Sequence, residues 1–489
     1  MLFLEKLFST SQIREIENHI YDVLKIDEYN LMFAAGESIL DFILKKNLNK
    51  NQEIYVFCGS GNNGGDGFIV AALLKKNGFK VNVIEVGNFH NQSDIAKKAQ
   101  EFALNNDVKL LPFHKDLEIN DDSIIIDAIF GIGLKGEVKE DAKFAIQKIN
   151  NSKSYVIAAD ISSGLCANSG NILGVSVQAN ATITFLGLKQ GLFLNNGLQV
   201  SGKIILSNLG VEYGTFLAGL KSNYNILDKN KIENLIPQRK KDSHKGDFGH
   251  LLVVGGQLGM GGAVLMAAKA ALKIGSGRVT ILTKKENYGA IISHLPNVMV
   301  DFYENEEDLK RIIKDKDIIA IGPGLGKSDW AKELVEFFIK SDLPKIIDAD
   351  ALNLISEGNH IDLKNSIITP HPTEASRLLG LSTKEIQNNR VDSIKNLNNK
   401  YNCVSVLKGS GSLIFDNKNL VICPYGNPKM AVAGMGDVLT GIIAGFACQK
   451  LDLFSSAIIG VYVHGLAGDK TAEKNNCPSI SPLDLIDNI

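Results

Sequence analysis

Glu53-Ile54-Tyr55-Val56-Phe57-Cys58-Gly59-Ser60-Gly61-Asn62-Asn63-Gly64-Gly65-Asp66-Gly67 decides the fold of the first half of this chain. The apolar run 53–58 reads as a short buried strand, because it is rich in β-branched and aromatic residues. It ends in a glycine-rich turn, after which Phe68–Lys76 reads as a helix and Lys80–Val86 as a second strand. Strand, turn, helix and strand make a βαβ unit, which predicts a parallel sheet and a Rossmann-like layout. Gly59-x-Gly61-x-x-Gly64 matches the dinucleotide fingerprint, with Glu85 at the distance from which an acid holds a ribose. The glycines continue through Gly65-Asp66-Gly67, however, which predicts a later helix start. Asn62, Asn63 and Asp66 also add side-chain oxygens and amides that a pyrophosphate turn does not need. They suit a ligand with hydroxyls or an amide, or a monovalent cation held by oxygens; the structural alternative is a plain turn with Asp66 capping the helix.

Upstream of this unit, residues 9–24 and 31–46 read as helices, the first with Ile13, Ile16, Ile20, Val23 and Leu24 at helical spacing. Downstream, apolar runs at 123–130, 154–159 and 181–186 read as strands. Asp127, the loop Gly131–Glu137, the stretch Asp160–Leu165 and the stretch Gly187–Leu192 stand at or after their C-terminal ends. Ligands of open α/β sheets bind outside the carboxyl ends of the strands, so these clusters are expected at one rim.

The second half alternates strands and helices again, with strands predicted at 251–254, 278–283, 317–321, 345–347, 366–369 and 404–408. Its chemistry is expected at Ala433-Gly434-Met435-Gly436-Asp437-Val438-Leu439-Thr440-Gly441, a glycine turn running into a helix over about 438–448. Bare glycine backbone and a helix N-terminus make an anion site. A carboxylate there repels a phosphate, so Asp437 makes sense as a base on a hydroxyl about to attack that phosphate, or else as a helix cap. Lys408-Gly409-Ser410-Gly411-Ser412 has amides and hydroxyls for a phosphate cradle, although it is no Walker loop. His371 is fixed between Pro370 and Pro372.

A chain of 489 residues, 45% hydrophobic and 22% charged, is large enough for two domains, and we place their boundary at 224/225. The net charge of −2, with Arg at only six positions, argues against nucleic acid as a partner. Six scattered cysteines without a CxxC pair suit a reducing cytoplasm. The opening residues have an early acid and no long apolar core, so no signal peptide is expected, and no apolar run spans a membrane.

"GSGNNGGDG", "IIDAIFGIGLKGE", "ADISSGL" and "ITFLGLKQGL" resemble the NAD(P)H-hydrate epimerase domain, the YjeF N-terminal family, over about residues 1–215. "KGDFGHLLVVGG", "IGPGLG", "IIDADALN", "TPHPTEASRLLG", "LKGSGS", "AGMGDVLTGIIAG" and "HGLAGD" resemble the ADP-dependent NAD(P)H-hydrate dehydratases, whose fold is ribokinase-like. The resemblance implies repair of nicotinamide cofactors hydrated at C6 of the ring: interconversion of R and S NADHX and NADPHX, then dehydration of the S form with ADP, giving AMP and phosphate. It implies that Asn62, Asn63, Gly64, Gly65, Asp66, Gly131, Ile132, Gly133, Leu134, Lys135, Gly136, Glu137 and Asp160 hold the hydrate in the first half, with Asp160 in acid–base work. It further implies K+ near Asn63, Asp127 and Ser163. In the second half it implies hydrate contacts from Ala263, Gly324, His371 and Asp437, and nucleotide contacts from Lys408, Gly409, Ser410, Gly411, Ser412 and Gly436. Asp437 is then the base, Mg2+ accompanies the nucleotide, and a homo-oligomer is expected.

Two departures from the family pattern stand near that base. Ala433 and Lys429 occupy positions where glycine is usual, and Lys429, eight residues before Asp437, is expected to add positive charge to the phosphate site. A small-molecule kinase would use Asp437 in the same way, a first half without turnover would be a binding module, and the Gly59 fingerprint alone would suggest a dehydrogenase. The combination of both halves favours repair.

Overall fold

The computed structural model describes residues 4–46, 52–90, 92–222, 224–227, 233–358, 361–474 and 477–489. Two compact units divide the chain: Lys6–Tyr224, and Asn225–Ile489 together with Met1–Glu5.

Strand β1 is Leu4–Leu7, and the N-terminal unit follows with β2 (Glu53–Cys58), β3 (Lys80–Glu85), β4 (Lys109–Pro112), β5 (Ile124–Ala128), β6 (Tyr155–Ala159), β7 (Ala181–Phe185) and β8 (Lys203–Ser207). They form a parallel sheet in the order β4-β3-β2-β5-β6-β7-β8. The order reverses between β3-β2 and β5-β6, as in Rossmann folds, so the crevice for a ligand opens at the carboxyl ends of β2 and β5. Alternate residues of each strand serve opposite layers. Ile54, Val56 and Cys58 join the cluster that holds Ile13, Ile16 and Ile20 of the helix Thr10–Asp22. Tyr55 and Phe57 join Ile146 and Ile149 of the helix Glu140–Asn151 on the other face.

The helix after β2 corrects the sequence expectation. It runs Asn62–Lys76 with Gly61 at its N-cap, so the stretch 62–67 is helical and Asp66 is no cap. Its glycines are there for close packing. A Cβ at Gly64 would lie 1.8 Å from the carbonyl oxygen of Gly59, and one at Gly67 would lie 2.7 Å from Ala128 Cβ and Cys58 Sγ. Glycine costs a helix about 1 kcal/mol relative to alanine, which tight backbone approach here outweighs. Strands β4 and β8 were also not foreseen; the first is short and largely exposed, with little apolar signal.

The C-terminal unit adds β9 (Tyr224–Leu227), β10 (His250–Val254), β11 (Arg278–Leu282), β12 (Met299–Asp301), β13 (Ile318–Ile321), β14 (Lys345–Ile347), β15 (Ser366–Ile368), β16 (Val404–Leu407), β17 (Ser412–Phe415) and β18 (Leu420–Cys423). The sheet order is β1-β9-β18-β17-β16-β15-β14-β13-β10-β11-β12. Strands β10 to β16 pair in parallel, and β17 and β18 return as an antiparallel hairpin. The helices Gly261–Ile274, Met435–Cys448 and Leu453–Lys474 bury their apolar faces with Leu251, Val253, Ile281 and Ala320 of the sheet. The helix expected from about Val438 starts three residues earlier, which puts Gly436 and Asp437 inside its first turn.

Candidate active sites

In the N-terminal unit the strand ends enclose a cavity of about 590 Å3. Asn62, Asn63, Asp66, the loop Gly131–Lys135, Asp160 and Lys189 all line it, so the glycine stretch and three of the downstream clusters share one rim, while Asp127 is not in the lining. Gly64, Gly65, Gly136 and Glu137 are not in the lining; Gly64 and Gly65 are buried inside the helix. Glu85 is also absent from it and accepts from Gln100 Nε2 at 2.5 Å, so the ribose role drawn from the fingerprint has no basis. Asn62 bridges neighbours at the rim: its amide donates to Glu28 Oε1 (2.7 Å) and accepts from Ser93 Oγ (2.9 Å).

Asp160 follows β6 with φ +66°, and Leu186 follows β7 with φ +62°. Left-handed backbone at non-glycine residues is strained and concentrates at functional sites. Here it turns both residues into the cavity wall. Asp160 is buried, and its Oδ1 accepts from Phe185 N (3.1 Å), Thr184 Oγ1 (3.3 Å) and Lys189 Nζ. Lys189 is 1% exposed, and its ammonium also donates to Thr184 Oγ1 (3.0 Å) and Phe185 O (2.7 Å). All three of its donors are therefore used, and the lysine is fixed. Burial, and then the charges of Asp160 and Glu17, hold the Asp66 carboxyl well above the usual carboxylate range, against the pull of Lys189.

Beside the cavity, Asp127 ends β5 fully buried and accepts from Ser163 N (2.8 Å), Ser163 Oγ (2.6 Å) and Ile129 N (3.2 Å). Burial pushes it up to about 6 in spite of those donors. Ser163 Oγ also accepts from Phe130 N at 2.8 Å, and a Cβ at Gly131 would lie 3.2 Å from Asn63 Cβ. Asn63 Nδ2 is buried and has no hydrogen-bond partner among the described residues.

The C-terminal unit gathers a second set of charges. Gly434 caps the helix Met435–Cys448 in left-handed conformation (φ +94°) without any side-chain cap, so Asp437 is free of that duty. Asp437 accepts no hydrogen bond among the described residues. Burial first, then the carboxylates of Asp348 and Asp350, push it up to about 7, against the pull of Lys408. Lys408 Nζ donates to Asp348 Oδ1 (2.7 Å) and lies 3.8 Å from Glu374 Oε2. Burial disfavours its charge, but Asp348, Glu374 and Asp437 outweigh that and raise its pKa. Thr440 Oγ1, one helical turn beyond Asp437, donates to Asp348 Oδ2 at 2.8 Å. A Cβ on Gly436 would lie 3.5 Å from Lys408 Nζ and 3.6 Å from Asp348 Oδ2, so glycine keeps this corner open. Between Asp348 and Asp350, Ala349 holds φ +49°, again strain beside a charge cluster.

The other expected residues fall into two neighbourhoods. His371 Nδ1 caps the helix Pro372–Leu379 by accepting from Thr373 N (3.1 Å) and Glu374 N (3.3 Å), while Nε2 stands 3.3 Å from Glu374 Oε1. This links it through Glu374 to Lys408. Gly324 (φ +55°) lies against Ala263, where an added Cβ would come within 3.0 Å of the alanine methyl. Lys429 is corrected. Its Nζ donates to Ala472 O (3.2 Å) in the last turn of the helix Leu453–Lys474, where unpaired carbonyls attract a cation.

Several residues had no role assigned from the sequence. Glu17, Tyr21 and Lys189 line the first cavity, and of these only Lys189 falls in an expected rim stretch, Gly187–Leu192. Arg390, 5% exposed, donates to Leu407 O and Gly411 O (both 3.2 Å) and Lys408 O (3.3 Å), and so braces the 408–412 loop from behind. His464 in "HGLAGD" has a buried Nε2 without a partner among the described residues, and burial pushes its pKa down to about 4.

A cavity of carboxylates at a Rossmann rim and an open glycine corner at a helix N-terminus define an α/β enzyme with two sites. Comparison with known proteins agrees. The profile of the YjeF-related protein N-terminus matches residues 28–191, and that of NAD(P)H-hydrate dehydratase matches residues 251–489. Among curated relatives, the bifunctional NAD(P)H-hydrate repair enzyme of Coxiella burnetii is 42% identical over 98% of this chain and 97% of its own length. That of Escherichia coli is 35% identical over 97% and 91%. A ribokinase-like superfamily protein from Enterococcus faecalis matches in structure with a TM-score of 0.51 and 31% identity, covering 55% of this chain and 94% of its own. The chain belongs to the family of bifunctional NAD(P)H-hydrate repair enzymes, a Rossmann-like unit joined to a ribokinase-like one.

Proposed function

We propose that the N-terminal unit (1–224) interconverts R and S NAD(P)HX and that the C-terminal unit (225–489) dehydrates the S form with ADP. The observation that carries the second half is Asp437: a carboxyl in the first turn of a helix, without a capping role, pushed up to about 7 beside Lys408. A general base works best with a pKa near the operating pH. Asp437 takes the proton of the 6-hydroxyl, and the oxygen attacks the terminal phosphorus of ADP. Phosphate then leaves with the oxygen, a ring proton is lost, and AMP, phosphate and NAD(P)H result. Backbone N–H groups of the Gly434–Asp437 turn stabilise charge on the transferred group. Lys408 to Ser412 and Gly436 hold the nucleotide, with Arg390 fixing the loop. Ala263, Gly324 and His371 hold the hydrate.

Mg2+ bound with the nucleotide neutralises phosphate charge. Among the described residues no group of three His, Cys, Asp or Glu side chains is placed to hold a metal ion, which suits an ion held mainly by phosphates. K+ fits the first unit: Asn63, Asp127 and Ser163 offer an amide oxygen, a carboxylate and a hydroxyl, all acceptors suited to a hard monovalent cation. The hydrate lies against Asn62, Asn63, Asp66, Gly131 to Lys135 and Asp160, which line the cavity. We further place the enzyme in the cytoplasm, as a homo-oligomer. All six cysteines are free, and no helix among the described residues is long and apolar enough to cross a membrane.

The test is recovery of NADH absorbance from a mixture of R and S NADHX with ADP, with ATP and with neither. Full recovery with ADP supports both activities. Recovery of only the S share, at the spontaneous epimerisation rate, removes the first. No recovery with either nucleotide removes the second.

A further inference from the structure

Glu17 and Glu28 also line the first cavity, and Glu28 accepts from Asn62. Glu17 lies on the helix Thr10–Asp22, whose Ile13, Ile16 and Ile20 face the core, while Glu15 and Asn18 are exposed. Glu17 faces the cavity with Arg14, Asp66, Asp160 and Lys189. Among the described residues it accepts no hydrogen bond, whereas Asp160 is tied to Lys189, Thr184 and Phe185. The charges acting on Glu17 are Asp160, Lys189, Glu28 and Arg14, and Glu17 in turn acts on Asp66 and Tyr21. Burial first, then Asp160 and Glu28, push its carboxyl up to about 7, against Lys189 and Arg14. Of the four carboxyls in this cavity, Asp160 is salt-bridged and Glu17 is left without a donor, the asymmetry of an acid–base pair with separate roles.

We propose that Glu17 is a second catalytic residue of the epimerisation site, exchanging protons with the oxygen on C6 of the hydrated nicotinamide while Asp160 serves the opposite face. The proposal rests on the epimerase reading. C6 carries both the hydroxyl and ring nitrogen N1. Glu17 gives its proton to the hydroxyl, the C6–O bond breaks, water leaves, and the N1 lone pair forms a C6=N1 double bond. Water then adds to C6 on the other face, N1 regains its pair, and the proton released goes to Asp160. One water leaves and one enters, one proton passes from Glu17 to Asp160, and no oxidant is needed. The reverse reaction exchanges the roles, so each face needs its own group. Proton transfer leaves Glu17 as a carboxylate beside the cationic intermediate, which favours it electrostatically.

The test uses the full-length chain without nucleotide, with R–S exchange followed by chromatographic separation of the epimers. Glu17→Gln is expected to slow exchange at least 100-fold, with dehydration of S NADHX by ADP unchanged. Glu17→Asp should recover part of the rate. The wild-type rate should fall as pH rises above about 7, as Glu17 loses its proton, and that limb should vanish in Glu17→Gln. Exchange by Glu17→Gln within threefold of wild type overturns the proposal. If that variant loses the thermal transition of the N-terminal unit, a wild-type rate without an alkaline limb overturns it instead. A wild-type chain that exchanges no epimers overturns the epimerase reading itself, and the proposal with it.

Discussion

Two glycine-rich stretches, 59–67 and 433–441, each run into a helix and each place an acid early in it, yet they use glycine for different ends. In the first, the glycines lie under backbone and side chains: Gly64 against Gly59, Gly65 against Met32, Gly67 against Cys58 and Ala128. In the second, Gly434 makes a left-handed turn and Gly436 keeps space open beside Lys408, and only Gly441, farther along the helix, packs against backbone, at Ala267. Packing glycines press a helix onto a sheet and so shape a cavity whose chemistry comes from side chains. Open glycines expose backbone N–H groups, and the backbone itself becomes the anion site. The first unit thus carries carboxylates suited to moving protons, and the second a surface suited to phosphate.

The largest break in this comparison should come from Asp437→Asn. Removing a general base costs about 10²–10⁴-fold, so NADH formation from S NADHX and ADP should fall by about 10³ while R–S exchange continues. In the wild type, kcat/KM for dehydration should rise with pH through about 7 as Asp437 ionises. The same shift has a thermodynamic side. The folded-state pKa lies above the ordinary 3.8, so the folded chain loses stability as pH rises through that interval. Asp437→Asn should therefore unfold at a higher temperature than wild type at pH 8, with the gap closing toward pH 4. An equal gap at both pH values would count against a buried, uncompensated carboxyl.

Alanine at two glycines separates the two uses directly. Gly64→Ala drives a Cβ into the Gly59 carbonyl at 1.8 Å, and overpacking against backbone costs about 3 kcal/mol or more. Loss of the N-terminal unit's transition in calorimetry is expected, with dehydration of the S epimer retained. Gly436→Ala meets only Lys408 Nζ and Asp348 Oδ2, at 3.5 and 3.6 Å. It should fold normally and raise KM for ADP about 10-fold, which corresponds to about 1.4 kcal/mol. Similar stability losses in both variants would erase the distinction.

The central parallel strands and their glycine ends were legible because apolar runs and turn residues mark them locally, whereas the short strands β1, β4, β8, β9, β12, β17 and β18 were not. Helix starts were not. Glycine reads as loop by propensity, and only the approach of Gly59, Ala128 and Cys58 shows why 62–67 is helical. Asp437 and Asp160 stood out beside recognisable motifs. Glu17 and Arg390 did not, and Lys189 stood in an expected stretch without a legible role, because such residues act on partners distant in sequence: Lys189 on a strand end 29 residues back, Arg390 on carbonyls 17 to 21 residues ahead. No spacing rule reports such contacts.

The smallest effect is expected at Lys429, where sequence and structure part most plainly. Its place in the loop before the anion turn suggested a phosphate contact, but its ammonium donates to Ala472 O at the end of the helix Leu453–Lys474. A cation at a helix C-terminus contributes about 0.3–1 kcal/mol when partly exposed. Lys429→Ala should therefore lower the melting temperature of the C-terminal unit by a few degrees at most. The Michaelis constant for ADP should stay within twofold, in contrast to Gly436→Ala. A tenfold rise in Lys429→Ala would mean that the side chain leaves Ala472 when nucleotide binds, and would return the lysine to the phosphate site.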